Sequence, residues 1–323
     1  MNLDLITEPI ASELKEFEGH FRDAMRSKVP FVDLIVRYLV KQKGKKIRPA
    51  LVMLTAKACG EINEHTYRGA SLVEILHTAT LIHDDVVDDA DTRRGLASIN
   101  AVWKNKIAVL MGDYLLAKGL LLSLDNDEFV FLKIISDSVR RMSEGEILQI
   151  AKSRKLDIDE ETYFKIISDK TASLLSTCCQ IGAASVSGDK ALMNRMKDFG
   201  ENLGLVFQIR DDLLDYIGRK SITGKPTGLD MKEKKLTLPL IHSLSKAPRS
   251  QSKHIISIIK NGANRKELNT VIEFAHEFGG IDYSISRAKH YSSIALEALE
   301  PLPPSSSKES LTAFVDFVLE RKK

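Results

Sequence analysis

Cysteine is nearly absent from this sequence: three residues in 323, two of them adjacent at Cys178 and Cys179. That is too few for a disulfide framework, and it fits a reducing compartment. A large net charge is also missing. Against 47 basic residues stand 44 acidic ones, leaving +3, without the segregated basic excess that marks a nucleic-acid binder. The N-terminal stretch MNLDLITEPIASELKEFEGH carries acids throughout and lacks the basic-then-apolar order of a signal peptide. No apolar run approaches the ~18 residues needed to span a bilayer. These absences predict a cytoplasmic protein with no transmembrane segment and no nucleic-acid partner. Alternating strand patterns bounded by hairpin turns are lacking too.

What is present is helical periodicity. Leu72, Ile75, Leu76, Ala79 and Ile82 recur at steps of three and four, as a buried helix face requires. Phe199, Leu203, Val206 and Leu213 recur at steps of four, three and seven, and similar patterns run over 107–122, 162–186 and 284–299. Prolines fall where helices should begin or stop, at Pro30, Pro49, Pro226, Pro239 and Pro248. Breakers gather in 218–228, and 301–307 reads as a connector to a last amphipathic helix over 308–320. The expectation is an all-α chain, residues 1–323 forming a single-domain bundle with one core.

Two acidic clusters carry the chemistry. Asp84-Asp85-Val86-Val87-Asp88-Asp89 follows the apolar stretch 72–82, and Asp211-Asp212-Leu213-Leu214-Asp215 follows Leu203–Gln208. On a helix Asp84 and Asp88 share a face, and Asp85 faces Asp88 and Asp89 by the same rule. Like charges so spaced cost up to about 0.5 kcal/mol per exposed pair. One such cluster reads equally well as a solvated acidic face. Two copies of the DDxxD spacing, each behind a core-like helix, call for cations, and hard oxygen donors favour magnesium completed by water and phosphate. Arginine and lysine at Arg93, Arg94, Lys45, Lys46, Arg48, Lys170, Lys225, Lys234 and Lys235 supply the counter-charge for an anionic ligand. His77 and Gln208 each stand seven residues before an acid of a motif, about 20° off its face. His83, next to the acids, reads as a metal or indirect contact of lower rank.

The sequence resembles the trans-type polyprenyl diphosphate synthases. The likeness runs from Gly44-Lys45-Lys46-Ile47-Arg48-Pro49 through HDDVVDDADTRRG (83–95), Gly112-Asp113, SEGEILQ (143–149), Lys170-Thr171-Ala172 and FQIRDDLLD (207–215) to GKPTGLDMKEKKLTLP (224–239). It implies a large helical bundle around a central cavity, a homodimer, and Mg2+ as the ion. It implies that Asp84, Asp88 and Asp211 contact the ion, with Asp85, Asp212 and Asp215 supporting it. Arg93, Lys170 and Lys225 would bind the allylic diphosphate, and Lys45, Arg48, His77 and Arg94 isopentenyl diphosphate. Thr171 and Gln208 would flank the developing allylic cation, and Lys235 would face a diphosphate. The sequence departs from the family pattern at Lys43, Lys46, Lys152 and Lys234, none of them a metal ligand.

In this family an aromatic residue at the fifth position before the first motif blocks the cavity floor. Here that position is Ala79, followed by Thr80 with Leu76 a turn deeper, so the resemblance implies a long product, near eight isoprene units, for a quinone side chain. Farnesyl diphosphate is the expected primer, with transient membrane contact for product release. A short-chain synthase, a non-catalytic subunit of a heteromeric synthase and a terpene cyclase are the alternatives. Cyclases need no isopentenyl diphosphate site, and non-catalytic subunits lose aspartates that are intact here.

Overall fold

The computed structural model describes residues 3–41, 44–93, 95–217 and 228–321. Helices dominate them: α1 (Leu3–Ile6), α2 (Ala11–Met25), α3 (Pro30–Lys41), α4 (Ile47–Cys59), α5 (Glu64–Val87), α6 (Ile99–Leu124), α7 (Phe129–Lys155), α8 (Glu160–Ile167), α9 (Ser173–Ala184) and α10 (Lys190–Ile217). They continue as α11 (Leu229–Lys232), α12 (Leu238–Lys246), α13 (Arg249–Asn261), α14 (Arg265–Glu277), α15 (Gly280–Leu299) and α16 (Ser306–Leu319). Local chemistry sets many of the ends. Asn63 and Thr66 form a capping box at the start of α5, and Asn264 and Glu267 form one at α14, each satisfying donors that the first turn leaves unpaired. Pro30 opens α3, where its missing N–H costs nothing.

The long helices pack on one another: α5 lies against α4, α6 and α9, and α10 lies between α9 and α15. The expected single core is instead three buried clusters. One joins α4, α5, α7, α9 and the first half of α10 through residues such as Leu51, Leu54, Leu72 and Phe199. A second gathers Tyr163, Ile209, Leu213 and Tyr216 with α12–α15. A third sets Ile75, Ala79 and Ile82 of α5 against α3 and α6. Partly buried Tyr291 and Leu319 touch the first and second clusters, and Phe21, Leu116 and Leu122 the first and third. A helix as long as α10 turns successive faces to different neighbours, which periodicity alone does not separate.

Four further expectations need correction. Within 162–186 the helix is interrupted by a π turn at Ser168–Ala172; apolar spacing is blind to one inserted residue. The last helix starts at Ser306, two residues before the expected 308, because the Ser305 hydroxyl accepts from Lys308 N at 3.1 Å. A short hairpin, β1 (Thr92–Arg93) with β2 (Leu96–Ala97), follows the first acidic motif; two-residue strands leave no alternation to read. Lastly, α6 is by length and composition apolar enough to cross a membrane. Asp113 and Lys118 interrupt its apolar run in the sequence, but its Leu-rich remainder outweighs them. In the fold, Ala108, Met111 and Leu115 bury one face of it, while Val109, Leu110, Leu121 and Leu124 are exposed. Its first turn is broken off at Lys104, whose backbone stands at φ 72, ψ 161.

Candidate active site

Both acidic motifs lie towards the C-terminal ends of long helices. Asp84 and Asp85 occupy the last turn of α5 and Asp88 caps it, its N–H bonding to Asp84 O at 2.8 Å. Asp211, Asp212 and Asp215 lie in the last described turns of α10. Carboxylates there face the negative end of the helix dipole, so each motif adds a penalty that a cation relieves. The expected face shared by Asp85 and Asp89 does not form, since the helix ends at Val87 and Asp89 turns to φ 49.

The individual carboxylates have distinct surroundings. Burial and the neighbouring Glu146 raise the Asp84 carboxyl above its ordinary value, against the pull of Lys170 and Arg93. Asp85 is buried and takes both Arg93 Nε, at 2.8 Å, and Arg93 Nη2. Asp211 accepts from Arg321 Nη2 at 2.7 Å, and the same guanidinium stacks 4.6 Å over Phe207. Asp212 accepts from Tyr163 Oη at 2.7 Å and from Gln208 Nε2 at 2.7 Å; burial and the neighbouring Asp230 push its carboxyl up. Asp215 Oδ2 accepts from the Asp230 N–H at 3.1 Å.

The cationic and polar side chains complete a wall. Lys170 bridges Glu146 Oε2 at 2.5 Å and Gln149 Oε1 at 3.1 Å. Thr171 Oγ1 donates to Gln208 Oε1 at 2.8 Å, which fixes the amide with its nitrogen towards Asp212. Burial alone would lower the Lys235 ammonium, but Glu233, Asp230 and Asp88 outweigh it and raise it. Lys235 therefore feels Asp88 of the first motif, and it lines one cavity with Asp211 and Asp212 of the second. Lys170, Thr171, Gln208, Asp211, Asp212 and Lys235 line one cavity of about 200 Å³.

None of the described residues expected at a second anion site lines that cavity. Lys45 precedes α4, Arg48 sits in its first turn, and His77 is buried on the neighbouring α5. A cavity of about 440 Å³ is lined by their chain neighbours Gly44 and Lys46 and by Glu74 and Thr78 of α5, but by none of the three themselves. Arg94 and Lys225, like Lys43, lie outside the described residues. His83 turns to α6, 3.3 Å from Asp113 Oδ1. The chain-length candidates are divided: Ala79 joins the α3 and α6 cluster, Leu76 joins the α7 and α9 cluster, and Thr80 Oγ1 bonds back to His77 O at 2.9 Å. Of the departures from the family pattern, Lys46 pairs with Glu18, Lys152 lies 3.5 Å from Asp157, and Lys234 adopts φ 57, a conformation glycine takes without strain.

Sequence reasoning assigned no role to Glu146, Tyr163, Asp230 or Arg321. Glu146 lay within the quoted run 143–149 and Asp230 within 224–239, so a signal existed for both. Among the described residues, no three of the His, Cys, Asp and Glu side chains converge closely enough to hold an ion alone. The donor set nevertheless fits magnesium, which retains waters and takes phosphate oxygens as ligands. Arg321 on Asp211 shows that a cation is accepted there.

A family model described as polyprenyl synthetase matches residues 29–275. The chain is 36% identical over 317 residues to the all-trans-nonaprenyl-diphosphate synthase (geranyl-diphosphate specific) of Rhodobacter capsulatus, covering 98% of this chain and 97% of the relative. It is 34% identical over 322 residues to the octaprenyl diphosphate synthase of Escherichia coli, covering 99% of each. A geranylgeranyl diphosphate synthase of Saccharolobus solfataricus is 33% identical over 296 residues, covering 88% of this chain and 89% of the relative. Among solved structures, a decaprenyl diphosphate synthase from Rhodobacter capsulatus superposes with a TM-score of 0.92 at 31% identity over 100% of both chains. A polyprenyl synthase from Caulobacter crescentus, complexed with calcium and isoprenyl diphosphate, gives 0.89 at 31% identity, covering 100% of this chain and 98% of the other.

Proposed function

The chain belongs to the polyprenyl synthetase family, and from that premise we propose that it extends farnesyl diphosphate with isopentenyl diphosphate to an all-trans product of about eight isoprene units, as in its octaprenyl relative. Prenyl diphosphate synthase activity, a prenyl transfer, follows from the family itself. The product would serve as a quinone side chain, and the enzyme would work in the cytoplasm as one domain.

The observation that carries the reading is the hydrogen-bonded chain Thr171–Gln208–Asp212–Tyr163 beside Lys170 on the wall of one cavity. Lys170, Arg93, Lys225 and Lys235 grip the allylic diphosphate, and Asp84, Asp88 and Asp211 are the direct metal contacts, with Asp85, Asp212 and Asp215 behind them. When bound, magnesium neutralises the departing diphosphate so that the allylic C–O bond can ionise. Thr171 and Gln208, their dipoles already fixed by hydrogen bonds, face the resulting cation without reorganising. Lys45, Arg48, His77 and Arg94 hold isopentenyl diphosphate so that its double bond attacks the cation. The proton then leaves to the released diphosphate. No cysteine nucleophile is required, and burial holds Cys178 and Cys179 as thiols. The walls keep water from the cation.

The exposed apolar residues of α6 support a homodimer. Leu110, Leu121 and Leu124 are all exposed and fall within about 60° of one another at 3.6 residues per turn, a stripe that a second copy would cover. A short-chain product is the second reading, favoured by the comparable identity to the geranylgeranyl synthase. One assay decides between them: incubate the protein with magnesium, farnesyl diphosphate and labelled isopentenyl diphosphate, then size the products. Products ending at four isoprene units refute the long-chain reading, and no product at all refutes the assignment.

A further inference from the structure

Lys170 and Thr171 project from a π turn rather than a regular helix, so the turn's register decides where both side chains point. The residues before them, Ser168 and Asp169, are held by one guanidinium from another helix. Arg141 of α7 donates from Nε to Asp169 Oδ1 at 2.8 Å and from Nη2 to Ser168 Oγ at 2.8 Å. It also clasps Glu201 of α10 with Nη1 to Oε2 at 3.0 Å and Nη2 to Oε1 at 2.7 Å. The partners close the network: Ser168 Oγ donates to Glu201 Oε1 at 2.5 Å, Lys165 Nζ to Asp169 Oδ2 at 2.9 Å, and Ser173 Oγ to Asp169 O at 2.6 Å. Burial would raise the Asp169 carboxyl, but Arg141 and Lys165 outweigh it and hold it below the ordinary value.

Glycines remove the slack around the turn. A Cβ on Gly145 of α7 would lie 2.9 Å from Lys170 N, and one on Gly204 of α10 would lie 2.4 Å from Ala172 Cα. Arg141 stands four residues before Gly145, and Glu201 three before Gly204, so on each helix the charge and the glycine share the face that meets the turn. Both neighbouring backbones touch the turn, and the ion network sets its register between them.

We propose that Arg141 is the positioning residue of this turn, required for Lys170 and Thr171 to engage the allylic diphosphate and dispensable for isopentenyl diphosphate. The proposal rests on the functional reading above. Arg141 does not line the cavity of Lys170 and Thr171; it lines a separate groove of about 770 Å³. It therefore acts through the turn, and a small solute can reach its place from that groove. Lysine cannot replace it, because a single ammonium lacks the fork that serves three partners at once.

The test compares Arg141→Ala and Arg141→Lys with Arg140→Ala, whose exposed guanidinium pairs only along its own helix with Asp137 and Glu144. In Arg141→Ala the KM for farnesyl diphosphate should rise about tenfold or more, the scale of a small misplacement of a reacting group, while the KM for isopentenyl diphosphate stays within about twofold. Arg141→Lys should recover little, guanidinium ion added below denaturing concentration should restore part of the Ala variant's activity, and Arg140→Ala should match wild type. A folded Arg141→Ala enzyme with unchanged constants, or with equal rises for both substrates, overturns the proposal. If that variant does not fold, Glu201→Gln removes the charge from one arm of the network and should show a smaller rise confined to the allylic substrate; its absence overturns the proposal too. If wild type elongates no primer, the functional reading fails by itself. Calorimetric binding of farnesyl thiodiphosphate with magnesium then still decides on Arg141: loss in Arg141→Ala supports its role, and equal binding refutes it.

Discussion

Replacing Lys104 by glycine should stabilise the protein although it removes a side chain and adds no contact. Lys104 stands at φ 72, ψ 161 inside α6, between a short first turn and the long remainder of the helix. That combination is a region populated almost only by glycine, and a side chain held there costs roughly 1–3 kcal/mol. Its neighbour Trp103 meets Tyr38 edge-on at 5.1 Å, and Tyr38 Oη holds the hairpin through Ala97 O at 2.7 Å, so tertiary contacts keep the break in place. Glycine relieves the strain but loosens the unfolded chain by ~0.5–1 kcal/mol, leaving a net gain of roughly 0–2.5 kcal/mol, centred near 1 kcal/mol. Unfolding entropy near 2.1 cal/mol/K per residue, over 323 residues, is about 0.7 kcal/mol/K. The apparent Tm should then rise by about 1–2 °C, and by no more than about 4 °C. Differential scanning fluorimetry at one scan rate, with Lys104→Ala beside it, measures this. Alanine retains the Cβ and should gain nothing. A glycine variant no more stable than the alanine variant refutes the reasoning.

Chelation with EDTA should abolish turnover and added magnesium restore it, and Asp84→Ala or Asp211→Ala should lower kcat by about 10²-fold or more with the helical circular dichroism intact. Near-normal turnover in both variants would remove these residues from the metal site. Arg48→Ala should chiefly raise the KM for isopentenyl diphosphate and Lys170→Ala that for the allylic substrate; matched defects in both kinetic constants argue against separate sites. Ala79→Tyr should shorten the product to about three or four isoprene units, because each unit denied entry forfeits ~0.8 kcal/mol per CH₂ of burial; a folded, active variant with the wild-type product distribution shows that Ala79 is not the gate. Sedimentation should find a dimer that Leu110→Glu with Leu121→Lys dissociates, and a wild-type monomer at micromolar concentration contradicts the homodimer.

The sequence exposed those parts of the fold that rest on regular spacing. The helices around 72–82 and 199–213 followed from apolar residues three and four apart, and the two acidic motifs from their repeated pattern. It concealed features made by irregular backbone or by distant partners. The π turn at 168–172 adds one residue to a helix, which leaves the apolar stripe almost unchanged. The pairing of Arg93 with Asp85 was hidden, because it depends on a hairpin too short to leave a strand pattern. Tyr163 and Arg321 come from 49 and 110 residues away to reach Asp212 and Asp211, distances at which no local rule operates. The run 143–149 was visible as a motif; the pairing of Glu146 within it to Lys170 was not.

The division of the core into three clusters also bears on what a ligand does to this protein. The helix carrying the first motif is rooted partly in the cluster with α3 and α6, whereas Ile209 and Leu213, which anchor the second motif, belong to the cluster with α12–α15. The active site is thus a seam between residues rooted in different buried clusters, and parts of a fold can open locally with a free energy below that of global unfolding. A diphosphate bridged by metal across that seam would act as a cross-brace as well as a reactant. It favours the states in which both regions are closed, and its stabilising effect grows with occupancy. Amide exchange should accordingly slow on both banks of the seam when the site fills, including at amides that touch neither phosphate nor ion.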